Sequence, residues 1–397
     1  MAIKVLLLND SRETGGAESV FNASYELLIS DSRFEAYRLD GSQLGTPHFL
    51  WNNKAWNLRA CRVLAERIRA TRPDVVWVHN FHGRLSASIF WTLNQIRRTS
   101  RCRVVVTMHD YQLVGFNPTL MTYRGDRHKD SVPLRHIGNW RAWLYRSTPK
   151  PLYVDAARKM YWTIARKLSS WTRAIDLVFC PSPLMTEAAR ACGLPRPLLV
   201  RQPSFLGGDP VRREPIAVNR GLRLLYLGRV APEKGWERFF SLLAASDFDG
   251  VETVEVVGGG ADLDALRRWV RDGGFEDRVL IRGHVSRDRA VEEIRRNDAV
   301  IVSSVCYENA PMVIVEAAHY GTPSLVRAYG SLETFADDLG SKVLWHDDGT
   351  PEALSEALDA LREKLRSGET YQTEPYSNQA YLETIHREFS NLVSAGE

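Results

Sequence analysis

Nine short runs of β-branched and other apolar residues, separated by segments of helical periodicity, constrain the fold of this chain more than any other feature. One series lies at residues 3–9, 74–80, 103–109 and 176–182, and the other at 222–228, 251–258, 278–284, 299–305 and 323–328. Apolar strands that alternate with amphipathic helices are typical of parallel sheets covered by helices on both faces. The sequence therefore predicts an α/β protein with two doubly wound domains.

The 397 residues are enough for two domains of ordinary size. A stretch rich in proline, glycine and charge, QPSFLGGDPVRREP, follows the first series of strands and is the expected join. We predict an N-terminal domain at 1–203 and a C-terminal domain at 204–375. A final segment, 376–397, is expected to form a helix that packs back towards the N-terminal domain.

Composition and cysteine use argue against several classes of protein. No run approaches the roughly 20 apolar residues of a membrane span, and the N-terminal apolar run is too short for a signal peptide. The five cysteines are odd in number and scattered, without a CxxC pair, which argues against a disulfide framework and a zinc site. We expect a cytoplasmic protein with reduced thiols, either free or peripheral at the inner face of the membrane.

Two glycine-containing loops follow predicted strands. Gly15 and Gly16 precede a helix that starts near Ala17, an arrangement that lets an anion approach backbone N–H groups, although a flexible turn is the alternative. In VVGGGADLD, Asp262 and Asp264 have the spacing of a metal-binding DxD pattern. Asp262 also precedes a helix that it could cap, which needs no metal. We favour the cap and predict neither a metal nor a cofactor.

The motif LGRVAPEKGWE places two cations in a loop after a strand. Arg229 and Lys234 lie at a strand's carboxyl end, where ligands bind in open α/β sheets. An arginine fork and a lysine point charge together suit a diphosphate. The alternative is an ordinary solvated basic loop.

The stretch CYENAPMVIVEAAHYGTP raises a question about two carboxylates. Glu308 stands before a predicted helix that Pro311 would begin, and Glu316 lies inside this otherwise apolar helix. A buried carboxylate is costly unless something binds it. The pair therefore indicates a binding function.

These motifs together resemble the retaining glycosyltransferases of family 4. The resemblance rests on GRVAPEKG, on E-x7-E about eighty residues later, on GGAE near the N-terminus and on TMHD at 107–110, and it covers nearly the whole chain. It implies the GT-B fold, in which two Rossmann-like domains face each other across a cleft. The domain at 1–203 would then bind the acceptor, and the domain at 204–375 the nucleotide-sugar donor. It also implies a UDP- or GDP-linked sugar donor and a saccharide or lipid-linked acceptor, as in polysaccharide or glycolipid assembly.

The resemblance assigns roles to individual residues. The donor-binding set is Gly15, Gly16, Arg229, Lys234, Glu308, Met312, Val313 and Glu316. The N–H groups at the helix start would face the diphosphate, and Glu316, about 1.5 turns further on, would lean back to the ribose hydroxyls. Glu308 would bind hydroxyls of the transferred sugar.

The catalytic set implied by the resemblance is His109, Glu308, Arg229 and Lys234. Because no nucleophile is evident, catalysis would consist of positioning and of stabilising the leaving diphosphate. His79, Asn80 and Asp110 are expected near the acceptor, with a core or capping role as the alternative for His79 and Asn80. Two other functions stay open: a GT-B sugar-nucleotide epimerase, and a non-catalytic nucleotide-sugar-binding subunit.

Residues 120–175 combine positive charge with large rings. They hold twelve Lys and Arg against three Asp, a net charge of +9, whereas the whole chain carries +4. Such a mixture suits an anionic membrane or a lipid-linked acceptor. One alternative is an ordinary helix whose apolar stripe, from Val154 to Trp171, packs on the domain. Nucleic-acid binding is a third interpretation of the positive charge. No RNA-binding motif accompanies the charge, so we expect no nucleic-acid partner.

Overall fold

The nine apolar runs all contain strands of two parallel sheets in the computed structural model, which confirms the predicted α/β architecture. The structure describes residues 2–10, 16–44, 56–125, 127–203, 210–215, 220–335, 339–368 and 371–395. The chain divides into two units. The first consists of Met1–Phe205 with Asn378–Glu397, and the second of Leu206–Ser377.

The first unit contains a six-stranded sheet and a small antiparallel hairpin. Its strands are β1 (Ile3–Asn9), β2 (Phe34–Asp40), β3 (Val75–Val78), β4 (Arg103–Thr107), β5 (Met121–Arg124), β6 (Arg127–Ser131), β7 (Leu177–Cys180) and β8 (Pro197–Leu199). The order in the sheet is β2-β1-β3-β4-β7-β8, with every pair parallel, while β5 and β6 form the hairpin. The strand order reverses between β1 and β3, so the loops after these two strands meet at one place.

Helices cover both faces of this sheet. They are α1 (Gly16–Ile29), α2 (Leu58–Thr71), α3 (Ser88–Ile96), α4 (Leu152–Ser169), α5 (Trp171–Ala174), α6 (Pro183–Ala191) and, at the far end of the chain, α13 (Asn378–Ser394). The apolar face of α13 packs into the core of this unit, where Phe389 lies 5.3 Å from the Trp77 ring and 6.1 Å from the Phe179 ring. The C-terminal helix is therefore part of the first unit.

Helix α4 exposes most of its large apolar side chains to solvent and buries an ion pair against the protein. Asp155 and Lys159 are buried and form an ion pair at 2.6 Å, and Arg166 donates to the Cys192 carbonyl at 2.8 Å. The apolar side, including Ile164 and Leu168, is exposed. The alternative in which the whole apolar stripe packs on the domain is therefore wrong, because only Trp171 at its end is fully buried.

The second unit is a single six-stranded parallel sheet with helices on both faces. Its strands are β9 (Leu222–Leu227), β10 (Val251–Val257), β11 (Val279–Gly283), β12 (Ala299–Val302), β13 (Ser324–Arg327) and β14 (Lys342–Trp345). Its helices are α7 (Trp236–Ala245), α8 (Leu263–Asp272), α9 (Arg287–Arg296), α10 (Met312–His319), α11 (Ser331–Thr334) and α12 (Pro351–Ser367). The order β11-β10-β9-β12-β13-β14 reverses between β9 and β12.

The five cysteines are buried and have free thiols. Within the described ranges, no helix combines the length and the apolar composition that crossing a bilayer requires.

Candidate active site

A cavity of about 210 Å³ lies at the carboxyl ends of β9 and β12. This is the point where the strand order of the second sheet reverses, and ligands of doubly wound proteins bind at such points. The cavity brings together five residues that the sequence predicted for donor binding. They are Arg229, Lys234, Glu308, Met312 and Val313.

The loop after β9 is fixed against the end of β12. Gly235 has a φ of 67°, and a Cβ there would collide with the carbonyl oxygen of Ser303, so this left-handed position requires glycine. The Ser303 hydroxyl donates to the Lys234 carbonyl at 2.8 Å, and the Val305 N–H donates to the Glu233 carbonyl at 3.0 Å. These bonds hold Lys234 in place beside the loop that carries Glu308.

Lys234 and Glu308 form an ion pair, with 2.6 Å between Nζ and Oε1. Burial by itself would raise the pKa of Glu308, but Lys234 and the hydroxyl of Ser304, which also donates to Oε1, hold this pKa below its ordinary value. Burial would likewise lower the pKa of Lys234, and the charge of Glu308 more than offsets it. Both groups are therefore charged at neutral pH. A lysine ammonium has three N–H donors, so Lys234 keeps donors for an anion.

Arg229 is the exposed member of the basic pair. Its side chain is 69% exposed and contacts Glu233 at 3.1 Å, four residues along the chain. Exposed pairs of this kind stabilise a protein by less than about 1 kcal/mol. Arg229 can therefore leave Glu233 for a phosphate at little cost.

Helix α10 points its N-terminus into the same cavity. It begins at Met312, with Pro311 in the N-cap position, so the prediction that Pro311 is the first helical residue is wrong by one position. The first N–H groups of a helix have no intrahelical acceptor, and here those of Met312 and Val313 belong to residues that line the cavity. An anion in the cavity would meet these donors and the positive end of the helix dipole.

Glu316 lies further along α10 and is not one of the residues that line the cavity. Burial raises the pKa of its carboxyl to about 7, which the more distant charge of Arg287 only partly offsets. Lys234 holds the pKa of Glu308 down, whereas within the described residues no hydrogen bond to the Glu316 carboxylate offsets its burial. Of the two glutamates, Glu316 is therefore the one whose carboxylate would gain most from a hydrogen-bond donor on a ligand.

We expect this carboxyl to make nucleotide-sugar binding pH-dependent. Hydroxyl groups of a ribose are donors to a carboxylate, so binding favours the ionised form and releases a proton wherever Glu316 starts protonated. Affinity should therefore fall about tenfold for each pH unit below about 7 and be flat above it. Titration calorimetry between mildly acidic and mildly alkaline pH measures this slope. Glu316→Gln should abolish it, and a slope unchanged in that variant would contradict the assignment.

In the first unit, two histidines from neighbouring strands stack on each other. His79 follows β3 and His109 follows β4, with 3.0 Å between Nδ1 of His79 and Nε2 of His109. Burial lowers the pKa of His109 to about 4 and that of His79 well below its ordinary value, so both rings are neutral at pH 7. His79 is only 2% exposed. Its placement favours the core role over the acceptor role, as a support for the His109 ring.

His79 is expected to set the tautomer of His109. Nε2 of His79 is buried and has no hydrogen-bond partner in the described part of the chain. Unsatisfied buried acceptors are tolerated better than unsatisfied N–H groups. Nδ1 of His79 should therefore carry the hydrogen and donate it to Nε2 of His109, which leaves the His109 hydrogen on Nδ1.

Nitrogen NMR of histidine-labelled protein tests this tautomer. We expect the His109 signals of an Nδ1-protonated ring in the wild type. His79→Phe, which keeps a ring between Trp77 and Phe21, should shift His109 towards the Nε2-protonated form. An Nε2-protonated His109 in the wild type would contradict the inference.

The remaining residues predicted in the first unit are Asp110, Asn80, Gly16 and Gly15. Burial raises the pKa of Asp110 to about 6, although the carboxylate accepts a hydrogen bond from the Gln112 N–H at 2.7 Å. Asn80 accepts from the His82 N–H at 3.4 Å. Gly16 is the first residue of α1, and a Cβ there would have nothing within 4 Å. Gly15 lies outside the described residues.

Sequence reasoning missed three polar residues at strand ends. Asp10 follows β1, and its carboxylate accepts from the Leu85 N–H at 2.7 Å while a Cβ at Gly83 would collide with it. Ser303 and Ser304 follow β12 and hold the Lys234 loop and Glu308. A polar residue within two positions of the last apolar residue of a strand was the signal that could have found all three.

The loop after β10 does not act as the sequence suggested. Asp262 has the N-cap position of α8, but its side chain does not cap the helix and instead accepts from the Trp236 indole N–H at 2.9 Å. The capping prediction is therefore wrong in its chemistry. Among the described residues, no three His, Cys, Asp or Glu side chains group closely enough to hold a metal ion. The absence of a metal remains a prediction.

Two family descriptions match this chain. "Glycosyl transferase 4-like domain" matches residues 30–204, and "Glycosyl transferases group 1" matches residues 211–372, which contain the cavity. The chain therefore belongs to the group 1 glycosyltransferases, and the match at 30–204 fits the predicted family 4. As a member of this family it is classed as a transferase enzyme.

The chain is also similar to individual proteins. It is 28% identical over 303 residues, 73% of its length, to 2-deoxystreptamine N-acetyl-D-glucosaminyltransferase of Streptomyces fradiae, and spans 62% of that relative. The structure of the lipopolysaccharide outer core galactosyltransferase WaaB aligns with a TM-score of 0.58 at 17% identity, covering 98% of this chain and 99% of that one. Anabaena HepE in complex with UDP aligns with a TM-score of 0.60 at 15% identity, covering 99% and 100%. These structures confirm the GT-B fold.

Proposed function

We propose that this chain is a retaining glycosyltransferase that moves a hexose-type sugar from a UDP- or GDP-sugar to a hydroxyl of a saccharide acceptor. One observation carries the proposal: two cations, a charged glutamate and a helix N-terminus meet in a single cavity at the reversal point of the second sheet. This set matches the parts of a nucleotide-sugar, with donors for the diphosphate and an acceptor for sugar hydroxyls.

The diphosphate would lie between the basic pair and α10. Lys234 would bind it with the N–H donors that Glu308 does not use, and Arg229 would leave Glu233 to bind it from the exposed side. The N–H groups of Met312 and Val313 would complete the site. As the bond to the sugar breaks, negative charge grows on the diphosphate, so these donors stabilise the transition state more than the ground state.

The sugar would lie beside Glu308, and the ribose beside Glu316. Lys234 and Ser304 fix the Glu308 carboxylate, so its free lone pairs can accept from sugar hydroxyls without a change of position. For His109, whose ring is neutral at pH 7, we propose a role in catalysis. Glu308, the carboxylate among the described residues that line the cavity, is held by Lys234 and Ser304. We therefore propose departure of the nucleotide and attack by the acceptor on the same face, with retention.

For the acceptor, we propose a lipid-linked saccharide used in polysaccharide or glycolipid assembly at the cytoplasmic face of a membrane. The basic and aromatic residues of 120–175 support it, as does the likeness in fold to an enzyme that acts on lipopolysaccharide. Membership of a transferase family favours transfer over the epimerase and binding-subunit alternatives.

A panel of UDP- and GDP-sugars tests the proposal. The true donor should raise the melting temperature of the protein, because a ligand that binds only the folded state stabilises it. It should also be hydrolysed slowly without an acceptor, and Lys234→Ala should abolish this hydrolysis. Stabilisation by no nucleotide-sugar of either series would contradict the proposed donor class. Binding without any hydrolysis or transfer would instead support the binding-subunit alternative.

A further inference from the structure

Exposed large apolar side chains concentrate on one surface of the first unit. Among the described residues, most such side chains lie within 140–168, and only Ile29, Leu58 and Trp91 lie elsewhere. They belong to the solvent side of α4 and to the 3₁₀ turn Trp140–Leu144, which together we call the α4 surface. Its most exposed members include Trp140, Leu144, Tyr153 and Leu168. Contiguous exposed apolar residues mark sites of interaction with a partner or a membrane.

The orientation of α4 is fixed by polar contacts on its other side. Asp155 and Lys159, each with a side chain 6% exposed, form the buried ion pair, and Asp155 also accepts from the N–H and hydroxyl of Ser147 at 2.7 Å. Lys159 donates to the Trp143 carbonyl at 3.0 Å. The ion pair lies within the helix, but rotating α4 to bury its apolar side would break the bonds of this pair to Ser147 and Trp143, and lost hydrogen bonds of buried groups are costly. The apolar side is therefore held outward.

The segment that carries the α4 surface is also rich in exposed positive charge. Among its described side chains, the exposed basic ones are Arg124, Arg135, Arg141, Lys150, Arg158, Lys167 and Arg173. Asp155, one of the few acidic residues there, is already neutralised by Lys159. Aromatic and aliphatic side chains together with Lys and Arg are typical of helices that lie in the headgroup layer of anionic bilayers.

An apolar cavity of about 250 Å³ opens beside this surface. Phe116, Leu120 and Ile137 line it, and the rings of Trp140, Trp143 and Trp162 close its sides. A smaller apolar cavity, of about 150 Å³, is known to bind benzene. The space is therefore suited to part of an alkyl chain rather than to a polar ligand.

We propose that the α4 surface docks on a bilayer that contains anionic lipids, with the outward side of α4 at the boundary between headgroups and acyl chains. Exposed Arg and Lys contact the lipid phosphates, and the apolar cavity takes part of a lipid chain. The inference names the membrane partner of the proposed function and rests on it for its biological purpose. The vesicle experiment involves no sugar transfer, so its failure would leave the donor chemistry untouched.

Vesicle sedimentation with the full chain tests this surface through three variants. Ile164→Ser with Leu168→Ser removes two apolar side chains that are 48% and 60% exposed. Arg158→Gln with Lys167→Gln removes two exposed charges of α4. Ile29→Ser with Leu58→Ser is the matched control, since these side chains are 50% and 70% exposed on other helices. All six positions are on the surface, so the melting temperature should stay that of the wild type.

We expect the wild type to bind vesicles of phosphatidylcholine mixed with phosphatidylglycerol at low salt, and to be released by salt. The apolar variant should bind the vesicles at least about tenfold more weakly, because two aliphatic side chains no longer leave water on binding. The charge variant should bind phosphatidylglycerol vesicles about tenfold more weakly at low salt, because two of the exposed basic residues are gone. The control should bind like the wild type. Emission of Trp140 and Trp143 should shift to shorter wavelength on wild-type binding.

Three results would overturn the proposal. The first is a wild type that ignores phosphatidylglycerol vesicles at low salt. The second is unchanged binding by the apolar variant, which would leave only electrostatic adsorption. The third is a wild-type dimer that the apolar variant converts to a monomer in light scattering, because the surface would then serve a second copy of the chain.

Discussion

Replacing Lys234 with alanine is expected to lower turnover at least a hundredfold, a loss on the order of 3 kcal/mol of transition-state stabilisation. The reason is that Lys234 is the cation held in place at the cavity, by bonds from Ser303 to its carbonyl and by Glu308 to its ammonium. Arg229→Ala should have an effect of the same order, because Arg229 also lines the cavity. Steady-state kinetics with the donor found in the nucleotide-sugar panel measures both.

The structure separates the effect of Lys234 on catalysis from its effect on stability. Lys234→Ala removes the cation that pairs with Glu308, whose side chain is 9% exposed, and we expect a loss of about 3 kcal/mol in stability. Adding Glu308→Gln should restore most of this stability and none of the activity. Arg229→Ala should leave stability unchanged, since Arg229 is exposed and its ion pair with Glu233 contributes little.

Glu233→Gln is the matched control for Arg229, because it removes the partner and keeps the cation. Its turnover should stay within a few-fold of the wild type, on the order of 1 kcal/mol or less. Near-normal turnover in both Arg229→Ala and Lys234→Ala would sink the diphosphate assignment.

Changing each of the two glutamates to glutamine is expected to affect a different property of the enzyme. Glu308→Gln should lower the transfer rate about a hundredfold and leave the affinity for the bare nucleoside diphosphate nearly intact, because its carboxylate binds the sugar. Glu316→Gln should weaken binding of the bare nucleoside diphosphate about tenfold or more, because the ribose is present with or without the sugar. Calorimetry with UDP and GDP, beside initial-rate kinetics, measures both quantities.

The reverse pattern in these measurements would mean that the two roles are exchanged. Glu293→Gln is a control for the loss of a buried carboxylate, since Glu293 lies on α9 among Arg289 and Arg296 and does not line the cavity. It should change stability and neither quantity measured for the site.

The sequence was sufficient for the central strands and insufficient at some sheet edges. All nine predicted strands exist, and eight of them are mostly buried and therefore have apolar sequences. The ninth, β11, lies at an edge of the second sheet and is mostly half-buried. β2, at the edge of the first sheet, was missed because Glu35, which is exposed, and Arg38, which is half-buried, interrupt its apolar run. β14, at the edge of the second sheet, has only four residues, from Lys342 to Trp345. Edge strands face solvent on one side, so their sequences carry a weaker pattern.

The candidate site divides in a similar way. Motif spacing was enough to place Arg229, Lys234 and Glu308 at the strand ends that line one cavity. It could not show that Lys234 and Glu308 pair with each other, because that contact joins residues 74 positions apart through the loop geometry of Gly235.

The orientation of α4 could not be predicted from the sequence either. Its periodicity indicates an apolar side, but only the buried pair of Asp155 and Lys159 decides which side faces the protein.

The anomeric configuration of the first sugar released tests the central claim of retaining transfer most directly. With an α-linked nucleotide-hexose as the donor and water as the acceptor, proton NMR at early times can identify the anomer before it equilibrates in solution. The proposed same-face mechanism predicts that the α-hexose forms first, with Lys234→Ala forming none. Initial formation of the β-hexose would contradict retention, and with it the roles proposed for Glu308 and His109.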